Sequence, residues 1–297
     1  MSARARAAAD PIQYLRWPDS APAATVLIPS LDGDRSGNLK GLIEDLEQQT
    51  FQDFELLVVV GVTPNGHARN VGAAVARGAV LICIDDDMRL GHERVLELMV
   101  KALNEHPEFG VVGISDQIPP DASWLQRRMA AQIPRSLFPI VDDFVDSDMV
   151  SHHCLALRRA VWDEVGGESD TLVRGTDPDL RYRIRKAGYR VVIVPQTWGY
   201  HPHPKTLSGL MRQWYKQGAG AADVFLTEPH MAIDTPDSFQ EKESYRRSFP
   251  RRVSDSIGRL LATIFKAQEI SLLCQAAYAL GYITHVMDRK LPSARSQ

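Results

Sequence analysis

The sequence predicts an α/β protein: a doubly wound, mostly parallel sheet with helices on both faces, followed by a helical C-terminal tail. Three observations carry this. Short apolar runs alternate with segments of helical periodicity, the βαβ pattern of parallel sheets. The apolar runs, such as Phe54 to Val60 and Val80 to Ile84, show almost no period-2 alternation, so both faces of those strands are expected to be buried. Acids and turn residues gather where the runs end, at Ser30-Leu31-Asp32-Gly33-Asp34 and at Asp85-Asp86-Asp87. In open α/β sheets that end is where ligands bind.

Residues 1–23 are rich in Ala, Arg and Pro and lack the apolar core of a signal peptide, so a disordered leader is expected. Thr25 to Pro29 is the first strand. Leu39, Leu42, Ile43 and Leu46 recur at the spacing of an amphipathic helix, which Ser36 or Asn38 can cap. Phe54 to Val60 is the second strand, and Gly61 to Gly66 a loop. His67 to Arg77 reads as an Ala-rich helix closed by Gly78. Val80 to Ile84 then runs into the three carboxylates. Val95, Leu98, Met99, Ala102 and Leu103 predict a helix, Phe109 to Ile114 a strand, and Trp124 to Ala131 a further helix. Val141 to Asp148 holds four Asp residues without ligand spacing and reads as a mobile, solvated loop. Met149 to Leu157 is a strand, and Arg158 to Val165 a short helix stopped by Gly166-Gly167. A basic helix follows Gly175 and ends at Gly188. The last strand, Tyr189 to Pro195, leads to a loop with His201-Pro202-His203-Pro204. Leu207 to Phe225 reads as a helix, 227–252 as a polar linker, and Ile257, Leu260, Leu261, Ile264 and Phe265 begin the tail. Ile270 to Met287 has no formal charge, but Ser271, Gln275, Thr284 and His285 interrupt it. A buried or membrane-surface helix is expected there, not a span.

The net charge of -3, from 34 basic and 37 acidic residues, gives no electrostatic case for nucleic acid. Cys83, Cys154 and Cys274 are odd in number and lie in apolar contexts, which fits buried thiols in a reducing compartment and neither a disulfide framework nor a zinc site.

The chemistry begins at Asp85-Asp86-Asp87. Adjacent carboxylates repel unless a cation or solvent neutralises them, and oxygen ligands of this kind suit Mg²⁺ or Mn²⁺. A solvated acidic turn is the plain alternative. A second cluster, Thr176, Asp177 and Asp179, opens a helix, where the dipole stabilises carboxylates; ordinary capping explains those residues equally well.

Three separated pieces resemble the family 2 glycosyltransferases of the GT-A fold, in the family's order, over about Ala24 to His203. The first is the strand ending in Ile28-Pro29. The second is Ala68-Arg69-Asn70-Val71-Gly72 with Ala76-Arg77-Gly78, leading into Asp85-Asp86-Asp87. The third is Gly175-Thr176-Asp177-Pro178-Asp179-Leu180-Arg181-Tyr182-Arg183 with Lys186-Ala187-Gly188-Tyr189. The resemblance implies an inverting, metal-dependent enzyme that moves a sugar from a nucleoside diphosphate sugar to an acceptor hydroxyl. Asp85 and Asp87 match the D-x-D motif and would bind Mg²⁺ or Mn²⁺ together with His201. Asp86, in the variable middle place, would face the nucleotide sugar with Pro29, Asp32, Arg69, Asn70 and Asp85. Asp177 takes the place of the general base. Thr176 stands where a Glu is usual, and acceptor contacts are expected from Thr176, Asp179 and Trp198.

The second strand ends in Gly61-Val62-Thr63-Pro64 without the family's acid, so Asp32 or Asp34 would compensate. Arg212, Gln213 and Trp214 lack the spacing of processive polymerases, which implies a non-processive enzyme. A sugar nucleotidyltransferase and a catalytically silent sugar-nucleotide binder remain as alternatives. The expected organisation is a GT-A domain over 24–226, with a nucleotide-binding half (24–118) and an acceptor half (119–226), then a linker and tail over 227–297. The acceptor would be a saccharide, a lipid-linked group or a small molecule. The expected location is the cytoplasm, with peripheral contact to the inner face of the membrane through the C-terminal helices.

Overall fold

The computed structural model describes residues 10–133, 137–227, 229 and 248–290. The chain order is β1 (Ile12–Arg16), β2 (Ala24–Ser30), α1 (Asn38–Glu47), β3 (Phe54–Val60), α2 (Asn65–Val75), β4 (Val80–Ile84), β5 (Arg89–Leu90), α3 (Val95–Glu105), β6 (Phe109–Gln117) and α4 (Trp124–Gln132). It continues with β7 (Val145–Asp146), β8 (Cys154–Arg158), α5 (Arg159–Val165), α6 (Thr176–Lys186), β9 (Arg190–Tyr200), α7 (Leu207–Thr227), α8 (Phe249–Phe265) and α9 (Glu269–Lys290).

One sheet has the order β1-β3-β2-β4-β8-β6-β9-β5, with β7 also on β9. β2 pairs parallel with β3 and β4, and β6 pairs parallel with β9. β8 is antiparallel to both β4 and β6, so β6 and β9 run in the same direction as β2, β3 and β4. The long strands therefore share one direction, and the short β1, β5, β7 and β8 oppose them. Because β8 enters between β4 and β6, strands of the two expected halves interleave in a single sheet.

The unalternating strands are buried on both faces because helices cover both. Val80, Ile82 and Ile84 of β4 join one core with Leu39, Leu42 and Leu46 of α1 and Leu96, Met99 and Leu103 of α3. Leu81 and Cys83 face the other way, into a core with Ala68 and Ala73 of α2, Trp162 of α5 and Ile184 of α6. Successive strand residues point to opposite faces, so one short apolar strand feeds two cores. Truncating Ile82, which is fully buried, to Ala would cost about 2–5 kcal/mol.

Several local expectations change. Ile12 to Arg16, expected within a disordered leader, forms an antiparallel edge strand on β3, because β3 would otherwise leave one edge unpaired. Residues 1–9 of that leader lie outside the described residues, as does most of the expected polar linker. Helix α1 is capped by Gly37 in the left-handed region, φ 84°, not by the side chain of Ser36 or Asn38. Of the four acids of Val141 to Asp148, Asp142 and Asp143 are exposed as expected, but Asp146 accepts from Arg190 at 2.7 Å and Asp148 is buried with Arg181 3.6 Å away. Strand β9 does not stop at Pro195. Its pairing with β6 jumps from Gly113–Ile193 to Ser115–Trp198, so Pro195 lies in a bulge where no ladder N–H is needed. The resumed strand delivers His201 to within 3.5 Å of Asp87.

In the tail, α9 packs along α7. A side chain at Gly218 would collide with the Tyr278 carbonyl, and one at Gly281 with the Tyr215 carbonyl, so each helix offers a glycine where the other's backbone approaches. Asp223 of α7 accepts from His285 at 3.2 Å and from Arg289 at 2.5 Å. α9 is long and apolar enough to cross a membrane by composition, but one side of it belongs to this helix pair.

Candidate active site

The cleft opens at the carboxyl end of β4. It is lined by Pro29, Leu31, Arg35, Asn65, Asp85, Asp86, Asp87 and His201. β4 ends at Ile84, and the three acids form a tight turn in which Met88 N–H donates to the Asp85 carbonyl at 3.1 Å. In a turn the three side chains do not alternate as on a strand: Asp85 faces Arg69, while Asp86 and Asp87 share Arg35.

Asp85 is bound by Arg69 Nη2 at 2.8 Å. Asp86 is the most buried of the three, 6 % exposed, and accepts from Ser30 Oγ at 2.6 Å. Burial raises its pKa against the opposing effects of Ser30 and Arg35. Asp87 contacts Arg35 Nη2 at 2.9 Å through one oxygen and His201 Nε2 at 3.5 Å through the other. Burial works to raise the Asp87 pKa, but His201 and Arg35 hold the carboxyl well below its ordinary range.

Arg35 is therefore the exposed cation on this turn, facing Asp86 and Asp87, while Arg69 holds Asp85 from inside. Arg35 comes from the loop between β2 and α1, and its side chain is 51 % exposed. The Asp32 carboxylate shapes that loop by accepting from the main-chain N–H groups of Asp34 and Arg35 at 3.0 and 2.8 Å. Asp32 is itself exposed and acts on the cleft through Arg35.

Among the described residues, no three His, Cys, Asp or Glu side chains already converge as a metal site. The donor types nevertheless fit a hard divalent ion. Asp87 offers an ionised carboxylate, His201 an imidazole nitrogen beside it, and the guanidinium on Asp87 shows that positive charge is accommodated there. Asp85 fits less well as a ligand than its D-x-D position implies, because Arg69 already neutralises it.

The second cluster lies across the loop between β7 and β8. Asp177, in the first turn of α6, has a side chain 36 % exposed. Its Oδ1 accepts from the main-chain N–H of His152 at 2.7 Å, and the His152 ring nitrogen Nδ1 lies 2.6 Å away. On the other side of that ring, Nε2 meets the fully buried Glu168. Burial favours the neutral acid at Asp177, but the His152 ring and Arg181 hold its pKa well below the usual carboxylate range. Burial and Arg69 press the His152 pKa down, yet Glu168 and Asp177 carry it up to about 9.

His153, the next residue, turns to the other cluster. Its Nδ1 is 2.5 Å from the buried Asp116, and its ring stacks on His201 with centroids 4.0 Å apart. Burial would lower the His153 pKa, but Asp116 raises it to about 10. Its carbonyl also accepts from Asp85 N–H at 3.2 Å. One dipeptide thus touches both candidate chemical centres.

Other expected contacts are redirected. Arg69 is 2 % exposed and faces Asp85 inside the protein, not the open cleft. Asn70 ties down the segment after α5, donating to the Glu168 carbonyl at 2.8 Å and accepting from Glu168 N–H at 2.9 Å. The helix-terminal Asn65 lines the cleft instead. Asp179 is buried and pairs with Arg183 at 2.7 Å, one helical turn on, so it is not presented to an acceptor. Trp198 packs on His92, with Nε1 3.2 Å from the Tyr200 hydroxyl, and is also absent from the cleft lining. Pro29 lines the cleft, and Thr176 is half-buried at the start of α6 beside Asp177. Sequence reasoning missed Arg35, Asp116, His152, His153 and Glu168. The tandem His152-His153 directly before an apolar strand was the readable signal; Glu168, next to two glycines, gave none.

The profile described as "Glycosyl transferase family group 2" matches residues 80–287. The succinoglycan biosynthesis protein ExoA of Rhizobium meliloti (strain 1021) is 32 % identical over 133 residues, covering 44 % of this chain and 36 % of that protein. The chain thus aligns with little more than a third of that relative's length. Among solved structures, the mannosyltransferase PcManGT from Pyrobaculum calidifontis, in complex with GDP-Man and Mn²⁺, superposes with a TM-score of 0.57 at 15 % identity over 95 % of this chain and 92 % of its own. TarS 1-349 of S. aureus gives a TM-score of 0.46 at 13 % identity over 70 % of this chain and 68 % of that chain. The carboxylate-lined cleft at the end of a parallel strand, the GT-A-like fold and the profile match over most of the chain converge on one assignment. The chain belongs to glycosyl transferase family group 2.

Proposed function

We propose that this enzyme transfers a sugar from a nucleoside diphosphate sugar to an acceptor hydroxyl with inversion, and that a divalent ion assists. One observation carries the reading: His152 contacts Asp177 while His153 stacks on His201, which faces Asp87, so a carboxylate base and a cation site flank a single turn. Asp177 takes the acceptor proton as the acceptor oxygen attacks the anomeric carbon. The bond from that carbon to the diphosphate oxygen breaks on the opposite side, and its electron pair leaves with the diphosphate. Asp87 and His201 would hold Mg²⁺ or Mn²⁺ once Arg35 swings aside. When bound, the ion neutralises charge on the leaving diphosphate. Pro29, Asn65 and Asp86 bound the donor's cleft, and Thr176 the acceptor's approach to Asp177.

The first test is a thermal-shift screen of GDP-mannose and UDP-glucose with and without Mn²⁺. Stabilisation by a donor that requires Mn²⁺ and is lost in Asp87→Asn supports the reading. Donor binding indifferent to both refutes the cation site. The mannosyl donor is included because PcManGT was crystallised with GDP-Man.

A second element of the proposal is peripheral docking at the cytoplasmic face of an anionic membrane. Helix α8 exposes Val253, Ile257, Leu260, Leu261, Ile264 and Phe265, while Arg251, Arg252, Arg259 and Lys266 supply positive charge. An apolar stripe with a basic polar face is the composition of an in-plane interfacial helix. Flotation with phosphatidylglycerol vesicles checks this. Binding is expected for the native chain and should be lost in Ile257→Ser/Leu261→Ser/Ile264→Ser; equal flotation of both refutes it.

A further inference from the structure

We propose that His152 is the positioning residue of the acceptor base, held between Glu168 and Asp177 so that Asp177 stays ionised with one oxygen fixed and the other free to meet the acceptor. This rests on the reading of Asp177 as the base.

The geometry is specific. The Asp177 Oδ1 atom receives the main-chain N–H of His152 at 2.7 Å and has the ring Nδ1 at 2.6 Å. Both contacts come from one residue, so the carboxylate cannot rotate without breaking both. The opposite ring nitrogen meets Glu168, whose side chain is fully buried. An ionised carboxylate only accepts hydrogen bonds. Nε2 donates to Glu168, while Nδ1 makes no hydrogen bond in good geometry and meets Asp177 Oδ1 as a close charge contact, so the two carboxylates favour the doubly protonated, positive ring. The charges around it come from every packed element: Glu168 from the segment after α5, Asp177 and Arg181 from α6, and Arg69 from α2. The raised pKa of His152 agrees with this arrangement.

The segment carrying Glu168 is anchored separately. Asn70 bonds both the N–H and the carbonyl of Glu168, and Asn70 Nδ2 also lies 2.8 Å from Asp170. Glu168 Oε2 has no hydrogen-bond partner among the described residues. A buried carboxylate so placed is costly unless an opposing charge answers it, and His152 is the side chain that touches it. The line Asn70–Glu168–His152–Asp177 thus runs from helix α2 to the start of α6. Acceptor chemistry then has a fixed oxygen at Oδ1 and a proton-accepting oxygen at Oδ2.

Steady-state hydrolysis of the donor selected by the thermal-shift screen, GDP-mannose or UDP-glucose, tests this with four proteins: native, Asp177→Asn, His152→Gln and Glu168→Gln. In His152→Gln, kcat should fall by up to about 10²-fold through misplacement of the base, with donor KM unchanged. The acid limb of its pH profile should move up by about one to three pH units, because Asp177 loses an adjacent positive charge. Glu168→Gln should shift the same limb in the same direction by less. A merely structural His152 would leave the limb in place. If His152→Gln is folded with native kcat and an unmoved limb while Asp177→Asn is inactive, this inference falls and the base assignment stands. If Asp177→Asn is fully active, the base assignment itself falls.

A measurement that does not depend on the folding of a His152 variant uses ¹⁵N-histidine-labelled His153→Gln. One imidazolium should persist there above pH 8, with both ring nitrogens protonated. If none persists, the clamp is overturned.

Discussion

The two carboxylate clusters of the candidate site, Asp87 in the cleft lining and Asp177 outside it, hold their acids by opposite means. Asp87 is neutralised by Arg35, a half-exposed side chain on a surface loop, with His201 3.5 Å from its other oxygen. Asp177 is neutralised by His152, a buried ring backed by a buried Glu168. Each acid is held well below its usual pKa, so charge alone does not separate them. Exchangeability does. An exposed guanidinium can leave and give way to another cation, because water solvates it wherever it goes. A buried imidazolium between two carboxylates cannot leave without stranding charge. One side is built to trade its counter-ion, the other to keep it.

The largest expected effect breaks the comparison at the fixed side. Asp177→Asn should reduce transfer by about 10²–10⁴-fold while Mn²⁺-dependent donor binding, read by thermal shift, stays near native. Loss of donor binding along with activity would mean that Asp177 belongs to the donor site as well.

Within the acidic turn itself, stability should divide by whether the counter-ion is buried or exposed. Arg69→Ala removes a buried partner of Asp85, and chemical denaturation should register a loss of about 3–5 kcal/mol. Asp85 is 26 % exposed, which favours the lower end of that range. Arg35→Ala, on the exchangeable side, should cost less than about 1 kcal/mol. Similar losses for the two variants would refute the contrast.

The pH dependence sharpens it further. The folded pKa of His152, about 9, stands above the ordinary histidine value of about 6.5. Its contribution to stability is therefore complete below about pH 6.5 and is lost as pH rises through about 9. Asp177 has the opposite sign: its lowered pKa contributes above about pH 3.9, and the contribution is lost only as pH falls through the depressed value. The unfolding temperature should decline from pH 7 to 9.5, and His152→Gln should flatten that decline. His153, raised to about 10 by Asp116, adds to the same slope, so a His153→Gln control separates the two rings. The smallest effect is a few-fold tightening of Mn²⁺ binding in Arg35→Ala, since the competing cation is gone; weaker binding would mean that Arg35 helps hold the ion's ligands in place.

Much of the frame was legible from the chain. The runs Phe54 to Val60 and Val80 to Ile84 are β3 and β4 to the residue, because a short, nearly unalternating apolar run between turn signals suits a strand buried on both faces; the one charge, Glu55, is buried against Thr25 and Arg77. Gly166 and Gly188 stop helices where expected, both in the left-handed region. The strand β1 was not legible: Ile12-Gln13-Tyr14-Leu15-Arg16 is mixed in polarity, and its order comes from the unpaired edge of β3, a partner over forty residues away. The continuation of β9 past Pro195 was hidden for a similar reason, since proline ends a strand locally unless a bulge absorbs it.

The sequence by itself determined the doubly wound core, the three acids at the end of β4, and the acid at the start of α6, since each depends on local periodicity or on neighbours in the chain. Only the tertiary structure decided what those acids touch. Arg69 turns inward to Asp85, Arg35 reaches Asp87 across 52 residues, and Glu168 reaches Asp177 through His152. A carboxylate's role is set by the charges within a few ångströms of it, and in this fold those charges come from loops far apart along the chain.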